Sequence, residues 1–303
     1  MKLASVDIGS NAIRLQVIKV YEDNDLVSFK NLQLLRFPLR LGKDVFTHGE
    51  ITPGTQERLI TLMSAFKHLI DLYEVQDYYA VATSAMREAS NGELIQKQIK
   101  EEVGLNIHII NGKKEARILN KAIRPTLSEK KYVHIDVGGG STEINLLHGN
   151  ALVKSKSFKI GSVRTLSSKE RAATFKTMGA WLQSTPFHRQ KNIVGIGTGG
   201  NINRLFKLAN KTHGSAISYA ELKALRAYVK EFTLEERMSI LKMNPDRADV
   251  IIPASEIYLR VLKEMGSDQI LVPRVGLKDG LVYELYEKAT EKNLDNIEYL
   301  GYL

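Results

Sequence analysis

Three glycine-rich segments of the chain have the composition of phosphate-binding turns. They lie at residues 7–11, 136–143 and 194–202, and each follows an apolar run. Consecutive glycines adopt positive φ angles and let backbone N–H groups approach an anion closely, and a serine hydroxyl adds a donor. The candidate phosphate-binding residues are Gly9, Ser10, Asn11, Gly138, Gly139, Gly140, Ser141, Gly199 and Gly200.

Two of these segments also carry an acidic residue where the strand ends. Asp136 leaves an apolar strand just before the glycines, and Asp7 stands at the corresponding place near the amino terminus. Carboxylate oxygens are suited to a hard cation such as Mg²⁺. Taken alone, each segment is equally compatible with a β-hairpin whose glycines serve only the geometry of the turn.

Repetition of the pattern favours the phosphate interpretation. Residues 4–18 and 133–147 share the order apolar strand, aspartate, turn with glycine and serine, then alternating strand. The offset between Asp7 and Asp136 is 129 residues (136 − 7), which is one domain length. We therefore expect two related halves, and three phosphate-type turns indicate a long or multiply charged phosphate ligand.

Arg87 and Glu115 are the next candidates for chemistry. Arg87 follows a predicted strand at 78–82, where a guanidinium can reach a cleft and bind phosphate oxygens in a bidentate manner; the alternative is a surface ion pair with Glu88 or Glu93. Glu115 falls in the first turn of a predicted helix, where the macrodipole favours a carboxylate. Such an acid usually only stabilises a helix end, but it can also deprotonate a water.

The remaining pattern predicts alternating strands and helices. Strands are expected up to about residue 37, then an irregular loop over 36–49 and a helix opened by Pro53. The break at Arg124-Pro125 predicts a boundary between domains 1–123 and 124–303. His134 and His148 lack the companions of a metal site, so we expect satisfied or surface histidines.

Composition restricts the class of protein. Hydrophobic residues make up 43% and charged residues 25%, as in soluble globular proteins, and cysteine is absent, which is compatible with a reducing cytoplasm. No signal peptide or apolar run of membrane-spanning length is present, so we expect a cytoplasmic protein. The net charge of +9 favours a polyanionic ligand. No nucleic-acid module is recognisable, and polyphosphate fits the charge as well as nucleic acid does.

Several motifs together resemble the exopolyphosphatase and guanosine pentaphosphate phosphohydrolase family of the actin, sugar-kinase and heat-shock chaperone ATPase superfamily. The resemblance runs from about residue 3 to residue 285 and corresponds to the catalytic core; longer members carry an additional helical C-terminal domain. The motifs that carry it are DIGSN (7–11), ATSAMR (82–87), NGKKEAR (111–117), DVGGGSTE (136–143), GSVR (161–164) and GTGG (197–200).

The resemblance implies an α/β fold of two tandem ribonuclease-H-like, actin-type domains whose mixed sheets face each other across a cleft. It implies an exopolyphosphatase that releases orthophosphate from inorganic polyphosphate, with Mg²⁺ or Mn²⁺ and as a homodimer. Glu115 matches the family's general base, Asp7, Asp136 and Glu143 match metal ligands, and Arg87 and Arg164 are expected to face the phosphates.

Three alternatives remain open. Guanosine pentaphosphate 5'-phosphohydrolase activity uses the same motifs, so substrate choice is not fixed by them. An ATP-dependent kinase needs an adenine pocket and an acceptor site that we do not recognise, and a non-catalytic sensor is expected to lack Glu115. Two departures from the family pattern are Lys114, where a second acid is usual, and Ala254, where a glycine is usual.

Overall fold

The computed structural model describes residues 1–23, 26–188, 190–212, 214–294 and the backbone of 297–298. The chain divides into two compact units. The first contains residues Met1–Pro125 and Gly276–Leu303, and the second contains Thr126–Val275. The domains predicted from the sequence, 1–123 and 124–303, differ from these units because residues 276–303 belong to the first unit.

Strands and helices alternate along most of the chain. The strands are β1 (Lys2–Ile8), β2 (Ile13–Asp23), β3 (Leu26–Phe37), β4 (Asp77–Ala82), β5 (Ile107–Ile109), β6 (Lys131–Val137), β7 (Thr142–His148), β8 (Ala151–Phe158), β9 (Ile193–Thr198), β10 (Ala216–Ser218), β11 (Gln269–Leu271) and β12 (Ile297–Glu298). The helices are α1 (Leu41–His48), α2 (Pro53–Leu72), α3 (Ser84–Glu88), α4 (Gly92–Val103), α5 (Gly112–Ile123), α6 (Ser168–Gln183), α7 (Gly200–Leu208), α8 (Tyr219–Lys230), α9 (Leu234–Ser239), α10 (Pro245–Ala248), α11 (Ile251–Met265) and α12 (Leu277–Thr290).

Each unit contains a mixed sheet, and the two sheets repeat one strand order. In the first unit the order is β12-β3-β2-β1-β4-β5, with β1, β2 and β3 antiparallel and β4 and β5 parallel to β1. In the second unit the order is β10-β11-β9-β6-β7-β8, with the same directions for β6, β7, β8, β9 and β11. This is the ribonuclease-H-like arrangement, so the expected α/β class with mixed sheets is confirmed.

Parallel neighbours bring the carboxyl ends of their strands to one edge of each sheet. In the first unit β1 lies beside β4, and in the second unit β6 lies beside β9. Residues that follow these strands therefore meet at one edge, where open α/β sheets bind their ligands. All three predicted phosphate turns lie at such strand ends.

Helix α12 explains why the chain returns to the first unit. Val282, Tyr283, Leu285 and Tyr286 are buried in a cluster with apolar residues of β1, β2 and β3. Leu281 packs beside Ile118 of α5 in a second cluster. Burial of these side chains is the dominant favourable term that holds a helix on a sheet. The local sequence gives no sign of this long-range packing.

The expected loop over 36–49 is wrong for most of its length. Residues Leu41–His48 form α1, and Leu41 and Val45 are buried one turn apart in the core of the first unit. The basic residues Arg36, Arg40 and Lys43 favour a solvated loop, and the apolar stripe that follows Arg40 is short. Within the described residues, no helix has both the length and the apolar character needed to cross a bilayer.

Candidate functional site

The first turn closes the β1–β2 hairpin and is held by neighbouring loops. Ser10 and Asn11 are buried, and the Ser10 hydroxyl lies 2.8 Å from the hydroxyl of Ser84, the first residue of α3. The Ser10 carbonyl accepts a hydrogen bond from the Gly42 N–H at 2.8 Å. Helix α1, which the sequence did not predict, therefore fixes the position of this turn.

Asp7 is paired with a cation in this unit. Its carboxylate accepts a hydrogen bond from Arg14 Nη1 at 2.7 Å, and the two residues are direct partners across β1 and β2. Asp7 is buried and Arg14 is half-buried. Arg14 thus neutralises the aspartate that the sequence proposes as a metal ligand.

Arg87 and Glu115 lie together in the first unit. Arg87 donates from Nη1 to the Ile110 carbonyl at 2.7 Å, and the same nitrogen lies 3.9 Å from Glu115 Oε2. Glu115 is buried in the first turn of α5, whose N-terminus is capped by the Asn111 side chain. Arg87 therefore forms an ion pair with Glu115, the predicted general base.

Lys114 is oriented toward a different group. Its ammonium lies 5.1 Å from the centre of the Tyr79 ring, a cation–π contact. Burial and then the charge of Lys114 lower the pKa of His108, which stacks edge-on against Tyr79. The lysine that replaces the usual acid at this position therefore contacts the Tyr79 ring and helps to lower the pKa of His108.

The second turn, Gly138 to Ser141, is anchored by backbone hydrogen bonds. The N–H groups of Val163 and Arg164 donate to the Gly139 carbonyl at 2.8 and 3.0 Å. Arg164 Nε donates to the Gly140 carbonyl at 2.6 Å. The segment 161–164 therefore holds the turn in place through the carbonyl groups of Gly139 and Gly140. Arg164, expected to face phosphates, is half-buried against the turn itself.

Asp136 and Glu143 flank the second turn. They are direct partners across β6 and β7, and Glu143 is only 1% exposed. One oxygen of Glu143 accepts hydrogen bonds from the hydroxyls of Ser141 and Ser157, both at 2.8 Å. The Thr198 hydroxyl donates to Asp136. Directly opposed carboxylates repel each other across a strand pair, and a bound cation would compensate this repulsion.

The two hairpins differ in charge at corresponding positions. Arg14 stands seven residues after Asp7, and Glu143 stands seven residues after Asp136, in the same strand register. The first hairpin therefore presents a neutral pair of residues and the second presents two carboxylates. Oxygen ligands from carboxylates are those that Mg²⁺ prefers, so the second hairpin has the donor set for a divalent cation.

The third turn joins β9 to α7 beside Asp136. Gly199 has φ 102° and ψ 161°, a backbone conformation that is essentially restricted to glycine. A Cβ atom at Gly199 would lie 3.1 Å from the Val137 carbonyl oxygen and 3.6 Å from Asp136 Oδ1. The turn therefore approaches the aspartate closely, and the N-terminus of α7 begins at Gly200.

Several residues that support these turns were not predicted. They are Arg14, Ser84, Ser157, Thr198 and Tyr258. Tyr258 donates to the Thr198 carbonyl, and burial, followed by the charge of Asp136, raises its pKa, so its hydroxyl stays protonated. Arg14 could have been found from the sequence, because the 129-residue offset between the two hairpins aligns it with Glu143. The others depend on which strands and helices are neighbours.

Comparison with known proteins identifies relatives across nearly the whole chain. The model of the Ppx/GppA phosphatase family matches residues 19–289. "Exopolyphosphatase 2" of Mycobacterium tuberculosis is 26% identical, covering 94% of this chain and 98% of that protein. A protein named "Guanosine-5'-triphosphate,3'-diphosphate pyrophosphatase" from Photobacterium profundum is 23% identical over 94% of this chain and 59% of its own length.

The chain is shorter than some relatives and matches one solved structure throughout. It spans 47% of a relative from Fusobacterium nucleatum and 59% of the Photobacterium protein. The crystal structure of the Aquifex aeolicus member of the Ppx/GppA family has a TM-score of 0.78 and 28% identity, covering 96% of this chain and 99% of that one. The expected α/β fold of two actin-type domains with mixed sheets is thereby confirmed.

Proposed function

Because the chain belongs to the Ppx/GppA phosphatase family, we propose that it is an exopolyphosphatase that hydrolyses the terminal phosphoanhydride bond of inorganic polyphosphate. The observation that carries the proposal is the pair of opposed carboxylates, Asp136 and Glu143, on either side of a glycine turn. Such a site suits a chain of phosphates bound with a divalent cation. In the reaction, water forms a new bond to the terminal phosphorus, and the bridging oxygen leaves with the shortened chain.

In this proposal the glycine turns supply donors for phosphate oxygens. Backbone N–H groups act without a charge of their own, and their positions are fixed before the substrate binds. Arg87 and Arg164 add positive charge. The residues assigned to phosphate binding are Gly9, Ser10, Asn11, Arg87, Gly138, Gly139, Gly140, Ser141, Arg164, Gly199 and Gly200.

Asp136 and Glu143 are the proposed ligands of Mg²⁺ or Mn²⁺. The Ser141 and Ser157 hydroxyls orient Glu143, and the Thr198 hydroxyl orients Asp136. A bound cation would neutralise phosphate charge during the transfer. Asp7 stays a predicted third carboxylate ligand. Its ion pair with Arg14 would compete with a cation for the carboxylate.

Glu115 is the proposed general base. The N-terminal turn of α5 and the nearby guanidinium of Arg87 both favour its carboxylate form. A buried carboxylate can accept the proton of the attacking water and orient that water for in-line attack. Correct positioning and charge stabilisation account for most of the catalysis in phosphoryl transfer.

Guanosine pentaphosphate is the second candidate substrate. The relatives include proteins named for each activity, so they support the two substrates equally. A sensor and an ATP-dependent kinase are weaker candidates, because Glu115 is present and the sequence offers no recognisable adenine pocket. The homodimer and the cytoplasmic location stay predictions.

The test is orthophosphate release from long-chain polyphosphate and, separately, from guanosine pentaphosphate. The wild type and Glu115→Gln are assayed with Mg²⁺ and with EDTA, and substrate binding is measured in parallel. We expect release by the wild type only with the metal, and a loss of about 100-fold or more in Glu115→Gln with binding retained. Binding without release by the wild type would contradict a hydrolase and support a sensor.

A further inference from the structure

Polar side chains form a buried chain of hydrogen bonds that ends at Asp136. The Thr198 hydroxyl donates to Asp136, and His134 Nε2 lies 2.9 Å from Thr198 Oγ1. Asn145 Nδ2 lies 3.1 Å from His134 Nδ1, and the Ser155 hydroxyl donates to Asn145 Oδ1 at 2.6 Å. We call these four side chains, Ser155, Asn145, His134 and Thr198, the Asp136 relay.

Strand order brings the relay together across four adjacent strands. His134 and Asp136 lie on the same face of β6, because side chains two residues apart in a strand point the same way. Asn145 of β7 is the direct partner of His134, and Thr198 of β9 is the direct partner of Asp136. The relay is buried except at its outer end, where Ser155 is exposed on β8. His134 is thus a satisfied histidine, as the sequence predicts.

The chemistry of the groups fixes the direction of every hydrogen bond. An amide nitrogen only donates, so His134 Nδ1 accepts and the ring proton is on Nε2. Nε2–H then donates to the Thr198 oxygen, which leaves the hydroxyl proton for Asp136. Each donor therefore points toward the carboxylate.

We propose that His134 and Thr198 are positioning residues, which hold the Asp136 carboxylate in one orientation for the divalent cation. The inference rests on the proposed function, since it assigns a role toward the metal of that site. Groups that orient metal ligands typically change metal affinity by 10- to 100-fold when they are removed. A merely structural role, in which buried polar groups satisfy one another, would leave metal affinity unchanged.

The test compares Mn²⁺ binding, measured by electron paramagnetic resonance, in the wild type, Thr198→Val and Thr198→Ser. Valine keeps the shape but removes the hydroxyl, whereas serine keeps the hydroxyl. We expect Mn²⁺ affinity to fall about 10-fold in Thr198→Val and to stay within about 2-fold of wild type in Thr198→Ser. Thr185→Val is the matched control, because Thr185 is also buried in the second unit but donates to the Leu182 carbonyl.

Kinetics and NMR add two readouts, of which the NMR measurement uses the wild type alone and needs no folded variant. Orthophosphate release by Thr198→Val should recover at high Mg²⁺ if the defect lies in metal affinity. In the wild type, heteronuclear NMR should show His134 as the neutral tautomer with its proton on Nε2. The opposite tautomer, or equal Mn²⁺ affinity in wild type and Thr198→Val, would overturn the relay alone. Wild type that neither binds Mn²⁺ nor releases orthophosphate would overturn the proposed function and the relay with it.

Discussion

Replacing Gly161 by alanine is expected to displace the second phosphate turn. A Cβ atom at Gly161 would lie 2.5 Å from the Gly139 carbonyl carbon and 2.7 Å from the Gly140 nitrogen, and closer still to the Gly139 oxygen. These neighbours are backbone atoms, so no side chain can rotate away. The backbone of Gly161 itself is not in the positive-φ region. The added methyl group therefore clashes with the backbone of the turn and displaces it.

The size of the push follows from the contact distances. Ordinary contacts of a Cβ atom begin at 3.4 Å, so the turn must move by about 1 Å to accept the methyl group. That movement strains the hydrogen bonds to the Gly139 carbonyl from Val163 and Arg164. Overpacking of this kind lowers the free energy of unfolding by about 1–3 kcal/mol. A misplacement of about 1 Å in a catalytic arrangement lowers the rate by about 100-fold.

The assay measures kcat/KM for orthophosphate release and the free energy of unfolding in the same preparations. Gly54→Ala is the control, since nothing lies within 4 Å of a Cβ atom at Gly54 and its φ is not positive. We expect Gly54→Ala to keep wild-type kcat/KM and to change stability by less than about 1 kcal/mol. A folded Gly161→Ala protein with wild-type kcat/KM would refute the assignment of this turn as the phosphate cradle.

Three further substitutions test other parts of the structure. Gly199→Ala should lower the free energy of unfolding by about 1–3 kcal/mol, measured by chemical denaturation, because the conformation of Gly199 is essentially restricted to glycine. Asp279→Asn should lower it by about 3–5 kcal/mol, because the buried ammonium of Lys278, 2.6 Å from Asp279 Oδ1, loses this charged partner; adding Lys278→Met should recover most of the loss. Burial raises the pKa of Asp44, but hydrogen bonds from Thr52 and a neighbouring threonine lower it more, so the net pKa is lowered. The stability that Asp44 contributes is present above its unfolded pKa, near 4, and is lost as pH falls, so Asp44→Asn should be less stable than wild type at pH 6 and approach it toward pH 3 in thermal unfolding.

Each of these predictions has a result that would contradict it. A Gly199→Ala protein as stable as wild type would show that alanine accepts this backbone conformation. If the double variant of Lys278 and Asp279 were no more stable than Asp279→Asn, the loss would not come from breaking the Lys278–Asp279 ion pair. A stability difference for Asp44→Asn that stays constant between pH 6 and pH 3 would contradict the lowered pKa.

The local sequence was sufficient to predict the glycine turns, but not the helices and side chains that hold these turns in place. Period-2 alternation and glycines after an acidic residue predict hairpins, and β1–β2 and β6–β7 form as expected. Helix α1 was missed because it is only eight residues long and its apolar residues, Leu41, Val45 and Phe46, are few. Helix α12 was assigned to the wrong compact unit because its packing partners lie far away in the chain.

The relay shows why long-range order limits prediction from sequence. His134 and Thr198 are 64 residues apart and touch only because β9 lies beside β6. His134 was predicted to be a satisfied or a surface histidine, and the structure shows it buried and hydrogen-bonded on both ring nitrogens. The sequence could not name Thr198 and Asn145 as its partners, since strand order is set by the whole sheet.

Duplication of the hairpin explains why two similar turns are suited to different tasks. The backbone register is the same, so the residue seven positions after each aspartate faces that aspartate across the strand pair. Arginine at this position makes the first hairpin electrically neutral, which suits the donation of backbone hydrogen bonds to phosphate. Glutamate at the same position gives the second hairpin two opposed carboxylates, whose repulsion a bound divalent cation would compensate. The residue type at position 14 or 143 therefore decides whether the aspartate of each hairpin faces a guanidinium or a second carboxylate.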